Sequence, residues 1–157
     1  MKKRGFRPKV FIACLIIVTI VAFIGSIFSS STADSEWYKS IKPSITPPSY
    51  VFPIAWTILF FMMALSLYFA WIKSDRKKKK QIIFLFGLNF LLNILWSILF
   101  FGMQNPMLAY FDLIILWISI IMMITATYKI DRRSAYLLMP YLLWVSFAGL
   151  LNYLAAF

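Results

Sequence analysis

Asn89, Asn93, Trp96 and Phe100 recur at spacings of four, three and four residues, and Tyr141, Trp144, Ala148 and Asn152 follow at three, four and four. On a helix each set lies along one face, because side chains three and four positions apart stack above one another. Trp56 and Phe60 lie one turn apart in a third stretch. Amide side chains are unfavourable in hydrocarbon unless paired, so these stripes belong inside a helix bundle. Two chemistries suit them. In one, the asparagines only join helices and the tryptophans fill a core. In the other, the rings wall a pocket and a few amides orient a flat apolar ligand, the general pattern of small-molecule sites.

Histidine is absent from the 157 residues. This leaves no Ser-His-Asp triad, no His-based metal site and no histidine axial ligand for haem. Of the five acidic residues only Asp112 falls within an apolar stretch. It sits in the first turns, where a carboxylate still reaches water, and an interfacial or helix-packing role is expected rather than a proton relay. The scattered glycines form no phosphate-binding loop. The sequence therefore points to no conventional hydrolase or metal site and to no required cofactor.

The elements that must position these side chains follow from composition. With 62% hydrophobic and 13% charged residues, the chain has too little polar surface for a water-soluble domain. About 20 apolar residues at 1.5 Å rise match a hydrocarbon core of roughly 30 Å. Spans are expected at residues 10–28, 51–72, 82–102, 107–128 and 135–155. The runs are apolar on all sides rather than alternating, which disfavours strands. The expected fold is an all-α integral membrane protein, a five-transmembrane-helix bundle forming a single domain over residues 1–157.

A net charge of +11 suggests nucleic-acid binding, but the charges sit between the spans. Lys2, Lys3, Arg4, Arg7 and Lys9 precede the first; Lys73, Arg76 and Lys77 to Lys80 follow the second; Lys129, Arg132 and Arg133 follow the fourth. Only Lys39 and Lys42 lie on the other side, balanced by Asp34 and Glu36. The positive-inside rule then sets a multi-pass protein of the cell membrane with a cytoplasmic N-terminus and the C-terminus outside. The lysine run reads as a topology signal on a solvated loop that also meets anionic lipid. The first apolar run is longer than a signal-peptide core, so an uncleaved span is expected. Cys14, the lone cysteine, is expected as a small buried core residue.

Residues 41–56 hold four prolines, Pro43, Pro47, Pro48 and Pro53. Pro47 and Pro48 suit the first turn of a helix, with Thr46 or Ser49 capping free donors, and Lys42 and Thr46 are pushed toward extended backbone. Segment 36–49 is expected as a stiff non-helical connector, and Pro53 as removing a helix bond beside Trp56. Such a segment, about residues 31–49 in all, can act as a fixed lid over the bundle mouth.

Taken in order, Trp37-Tyr38, Lys42-Pro43-Ser44, Pro47-Pro48, Phe52 and Trp56, then Asn89, Asn93, Trp96-Ser97 and Phe100-Phe101, then Pro140-Tyr141-Leu142, Trp144, Phe147-Ala148 and Leu151-Asn152-Tyr153 resemble the TspO/MBR family of tryptophan-rich sensory and translocator proteins. The resemblance covers nearly the whole chain. It implies tightly packed transmembrane helices under a long first loop that closes a ligand pocket. It implies protoporphyrin IX and related tetrapyrroles as ligands, sterols in animal members, and synthetic isoquinoline carboxamides and benzodiazepines. By position it makes Trp56, Trp96 and Trp144 pocket residues, with Asn93 and Ala148 nearby, Trp37 in the lid beside Pro43, Pro47 and Pro48, and Phe60 one turn from Trp56. Bacterial members are reported to promote light-dependent breakdown of protoporphyrin, for which Trp56 and Trp144 are the catalytic positions here. It also implies a homodimer, although Gly87 is followed on its face by Leu91 and Leu95, which does not write close small-residue packing. The animal sterol motif is incomplete, since Leu154 follows Tyr153.

The expected function is binding of porphyrin or a related flat hydrophobic molecule in an aromatic pocket within the bundle. The alternatives are a light-dependent porphyrin-degrading enzyme and a transporter of sterol, lipid or tetrapyrrole. Inverted repeats, broken mid-membrane helices and charges deep in the spans, which would favour transport, are missing.

Overall fold

Pro8 opens the first helix where its missing amide hydrogen costs nothing, and α1 runs Pro8–Thr32. In the computed structural model, which describes residues 6–157, five helices are long and apolar enough to cross a membrane. They are α1, α3 (Val51–Lys73), α4 (Arg76–Ser97, continued by a π-helical turn Ile98–Gly102), α5 (Pro106–Tyr128) and α6 (Arg132–Ala156). The tail cations Lys2, Lys3 and Arg4 lie outside the described residues.

Neighbour packing closes a ring in the order α1, α3, α6, α5, α4 and back to α1. Its inner faces meet in one core, with Met63, Phe86, Ile120, Met123, Leu138 and Tyr141 almost fully buried. Cys14 belongs to this core, as expected. Apolar side chains such as Ile16, Phe23, Ile58, Leu91 and Leu143 are exposed outward, as lipid-facing positions are.

The connector corrects the sequence reading in three places. Residues Glu36–Ile41 form a short helix, α2, not an irregular strap. Ser35 caps it by accepting from the Tyr38 amide at 3.2 Å, and Glu36 pairs with Lys39 at 2.7 Å. Lys42 before Pro43 then ends it in extended backbone. Pro47 and Pro48 precede α3 rather than opening it, and neither Thr46 nor Ser49 caps; Tyr50 holds the cap position without a side-chain bond. Pro53 lies in the first turn of α3, where amides have no intrahelical partner, so no bond is lost there.

The basic run is also helical. Asp75 accepts from the Lys78 amide at 2.8 Å, so Arg76 to Lys80 form the opening turns of α4 instead of a loop. Beside it, Asp131 caps α6 through the Arg133 amide at 3.1 Å and takes ion pairs from Lys73 at 3.2 Å and Arg133 at 3.0 Å. Burial pushes the Asp131 carboxyl up, but the Arg133 and Lys73 contacts outweigh it and hold the group below the usual carboxylate range.

Candidate functional site: an aromatic interior between the helices

On α4 the stripe faces inward as the spacing requires: Asn89, Asn93 and Phe100 are buried and Trp96 is half-buried. On α6, Tyr141 and Asn152 are 1% and 2% exposed. Although α4 and α6 are not adjacent in the ring, their side chains meet across it. The Asn93 amide donates to the Tyr141 hydroxyl at 3.2 Å, and that hydroxyl donates to Asn89 Oδ1 at 3.2 Å. Asn89 Nδ2 donates to Ser119 Oγ on α5 at 2.8 Å, and Ser119 donates to the Leu116 carbonyl at 2.6 Å. Nearer the lid, Trp96 Nε1 donates to Asn152 Oδ1 at 2.9 Å, and Asn152 Nδ2 to the Pro106 carbonyl at 2.8 Å. All three asparagines therefore join helices.

The rings gather above this network in two groups. Trp56 stacks on Phe60 with centroids 5.4 Å apart and meets Tyr141 edge-on at 6.2 Å. Trp144 lies 5.9 Å from both Phe52 and Phe147. Across the ring, Trp96 stacks on Phe100 at 5.1 Å. The lid helix completes the second group, with Trp37 at 5.8 Å from Phe100 and Tyr38 at 5.9 Å from Phe101. Burial raises the Tyr38 phenol above its ordinary range, so it stays neutral. Trp56, Phe60, Trp96, Trp144 and Ala148 are all partly buried and packed against the core. Pro43 and Pro47 in the connector after α2 are likewise half-buried, whereas Pro48 is exposed.

The π-helical turn is what brings the lid and α4 together. Its extra residue sets Phe100 and Phe101 side by side at 4.9 Å, both against α2. Gly102 closes it, and a Cβ there would lie 3.1 Å from the Phe28 ring of α1. Gln104, with φ 51°, then turns the chain toward α5.

Three polar atoms among the described residues are buried without a partner: Trp144 Nε1, Thr46 Oγ1 and Asp112 Oδ2. Asp112 is 5% exposed, so the expectation of a carboxylate reaching water is not met; its position in the second turn of α5 is covered by packing. The Trp144 indole is a donor left open inside the aromatic region. Among the described residues no group of three His, Cys, Asp or Glu side chains could share a metal ion. A groove of about 480 Å³ outside the ring, between α5 and α6, is bordered by Tyr110, Trp117, Gly149 and Tyr153, and none of the expected site residues lines it.

Spacing did not single out Ser119, the one hydroxyl that completes the Asn89 bond. Nor did it find the reciprocal pair between α3 and α6, Ser66 Oγ to Ser134 Oγ at 2.8 Å. A small hydroxyl inside an apolar run is the only sequence signal for either.

The fold and site define a class: a multi-pass helical membrane protein with a tryptophan-rich interior and a short helix, α2, packed through Trp37 and Tyr38 on Phe100 and Phe101. Sequence comparison gives the lineage. The TspO/MBR family profile matches residues 13–157, and the chain belongs to that family. It is 38% identical over 143 residues to the "Tryptophan-rich protein TspO" of Chlorobaculum tepidum, covering 89% of each chain. It is 40% identical over 146 residues to the protein of the same name from Archaeoglobus fulgidus, covering 90% of this chain and 92% of that one. The "Translocator protein" of Bos taurus is 29% identical over 141 residues, covering 86% and 83%.

Proposed function

We propose that the protein binds a flat hydrophobic tetrapyrrole, metal-free protoporphyrin IX foremost, between the aromatic side chains of α3, α4 and α6 beneath Trp37. The observation that supports this reading is that Trp56, Trp96 and Trp144, on three helices, all pack against one buried core, with the Trp144 indole N–H buried and unpartnered. A bound porphyrin replaces ring–ring contacts by ring–ligand contacts of the same kind, so the stacks Trp56–Phe60 and Trp96–Phe100 open at small cost. The asparagine–tyrosine bonds beneath stay made and fix the depth of the ligand. Trp144 Nε1 supplies a hydrogen bond to a ligand acceptor. In this reading the cation-rich end, with Lys73 to Lys80 and Lys129 to Arg133, faces the cytoplasm and the lid faces outward.

The test is a protoporphyrin IX titration of purified protein in detergent, in the dark and under light, read by tryptophan fluorescence. Saturable quenching is expected, weakened by Trp144→Phe and by Asn93→Ala. Quenching that is linear in porphyrin and unchanged in both variants refutes the reading. Loss of the porphyrin absorption band only under light, abolished in Trp56→Phe/Trp144→Phe, would make the protein a photochemical enzyme as well as a binder.

A further inference from the structure

At the basic end, away from the aromatic interior, the first turns of α4 and the last turns of α5 border a half-open groove of about 240 Å³. The two helices run in opposite directions here, so their linings read in opposite sequence order toward the membrane centre. Lys78 and Lys129 stand at the mouth, Gln81 and Thr125 one turn in, and Leu85 and Met122 two turns in. Over about 10 Å, seven residues at 1.5 Å each, the wall changes from cationic through neutral polar to apolar. That is the polarity sequence of a phospholipid: phosphate, ester-bearing glycerol, acyl chain.

The cations at the mouth are not spent on the protein. Among the described residues, Asp131 takes Lys73 and Arg133, and Asp75 accepts from the Lys78 amide, while no carboxylate lies in ion-pair reach of the Lys78 or Lys129 ammonium. Segments 73–80 and 129–133 together carry nine cations against Asp75 and Asp131. Thr125 donates to the Met122 carbonyl at 3.0 Å, and its hydroxyl oxygen still accepts. A second observation fixes the height of the groove. Lys79 sits 5.0 Å over the Trp71 ring and Arg132 5.3 Å over the Tyr128 ring, and such cation and aromatic pairs mark the headgroup level.

We propose that this groove is a binding site for one anionic phospholipid of the leaflet at the basic end. Its phosphate lies between Lys78 Nζ and Lys129 Nζ, its glycerol esters face Gln81 and Thr125, and its first methylenes lie over Leu85 and Met122. The volume is below the roughly 300–1,000 Å³ of drug-sized sites, so the groove takes a headgroup and the start of a chain rather than a tetrapyrrole. The lipid clips the start of α4 to the end of α5, and this holds whether or not the aromatic interior binds porphyrin.

Native mass spectrometry of the detergent-solubilised full chain tests it. Phosphatidylglycerol and phosphatidylcholine of the same acyl composition are offered separately, then phosphatidylglycerol together with inorganic phosphate. One phosphatidylglycerol per chain is expected, with a preference over phosphatidylcholine on the order of tenfold, lost in Lys78→Gln/Lys129→Gln. The variant Lys77→Gln/Lys80→Gln changes the net charge equally but leaves the groove intact, and it should keep the preference. All four lysines are exposed, so every variant is expected to fold, which helical circular dichroism checks. Equal loss in both double variants would mean diffuse charge attraction, and displacement of the lipid by inorganic phosphate would mean a free-anion site. Either result overturns the proposal, as does a preference surviving in Lys78→Gln/Lys129→Gln.

Discussion

Tyr141→Phe isolates the hydrogen bonds that cross the ring. The substitution keeps the buried ring and its edge contact with Trp56, and removes only the hydroxyl that accepts from Asn93 at 3.2 Å and donates to Asn89 at 3.2 Å. Asn89 Nδ2 keeps its bond to Ser119 but Asn89 Oδ1 loses its donor, and Asn93 loses the partner of its amide nitrogen. Hydrogen bonds between membrane helices average about 0.6 kcal/mol and reach about 1.7. Two lost bonds, which strand Asn89 Oδ1 and Asn93 Nδ2, therefore cost about 1–2 kcal/mol, a fall in Tm of about 2–8 °C at the usual 2–4 °C per kcal/mol for a chain of this length. The measurement is a thermal melt in detergent followed by circular dichroism, repeated in an Asn93→Leu background. There the hydroxyl has one partner fewer, so Tyr141→Phe should cost less, with a coupling of at least about 0.5 kcal/mol. A Tm unchanged by Tyr141→Phe, or costs that simply add, would show that the network does not hold α4 to α6.

Three shorter tests address other elements. Asp131 has its folded pKa below the ordinary carboxylate value, so its stabilisation is complete above about pH 4 and disappears as pH falls through the folded value. Asp131→Asn keeps a capping side chain but loses both ion pairs, and the melt-versus-pH curve should lose its acid-side drop while stability near neutral pH falls. Ser66→Val places a methyl group where Ser66 and Ser134 meet at 2.8 Å in a fully buried contact; overpacking and the lost bond from the Ser66 hydroxyl to the Ser134 carbonyl should cost about 1–3 kcal/mol in the same melt, against about 1 for Ser66→Ala, while the Ser134 hydroxyl keeps its bond to the Ser66 carbonyl. Trp37→Ala removes a half-buried α2 ring that touches Phe100; under the proposed function porphyrin should then leave faster in stopped-flow dilution, with Tm changed little.

The spans were legible because lipid leaves few options: a run of about 20 apolar residues has to pair its own backbone. The α4 and α6 stripes were legible because amides inside such a run must face protein, and Asn89, Asn93 and Asn152 do so. What escaped were features decided by single residues. The α2 helix depends on Ser35, Glu36 and Lys39, a cap and a pair that were present in the sequence but masked by the prolines around them. The helical start of α4 depends on Asp75, whose capping role outweighs the appearance of a charged loop. The π-helical turn has no residue signature at all. It goes with the packing of Phe100 and Phe101 against α2 at the same time, and packing of that kind is a tertiary choice.

The division of labour inside the ring follows from the kinds of contact each level holds. At the level of Asn89, Asn93 and Tyr141 the helices are tied by directional bonds whose loss strands buried polar groups, so this layer resists opening. At the level of Trp56, Trp96 and Trp144 the contacts are ring on ring, worth about 0.5–1.5 kcal/mol beyond burial, and any flat π surface satisfies them equally. Trp96 is the one of these rings also held by a hydrogen bond, to Asn152, which is itself anchored to Pro106 at the head of α5. Under the proposed function, Trp56 and Trp144 are then the rings free to shift around a ligand, and Trp96 the fixed wall against which it stacks. Trp96→Phe, which keeps a ring but frees it, should broaden ligand selectivity in the fluorescence titration, whereas Trp56→Phe should lower affinity for every flat ligand alike.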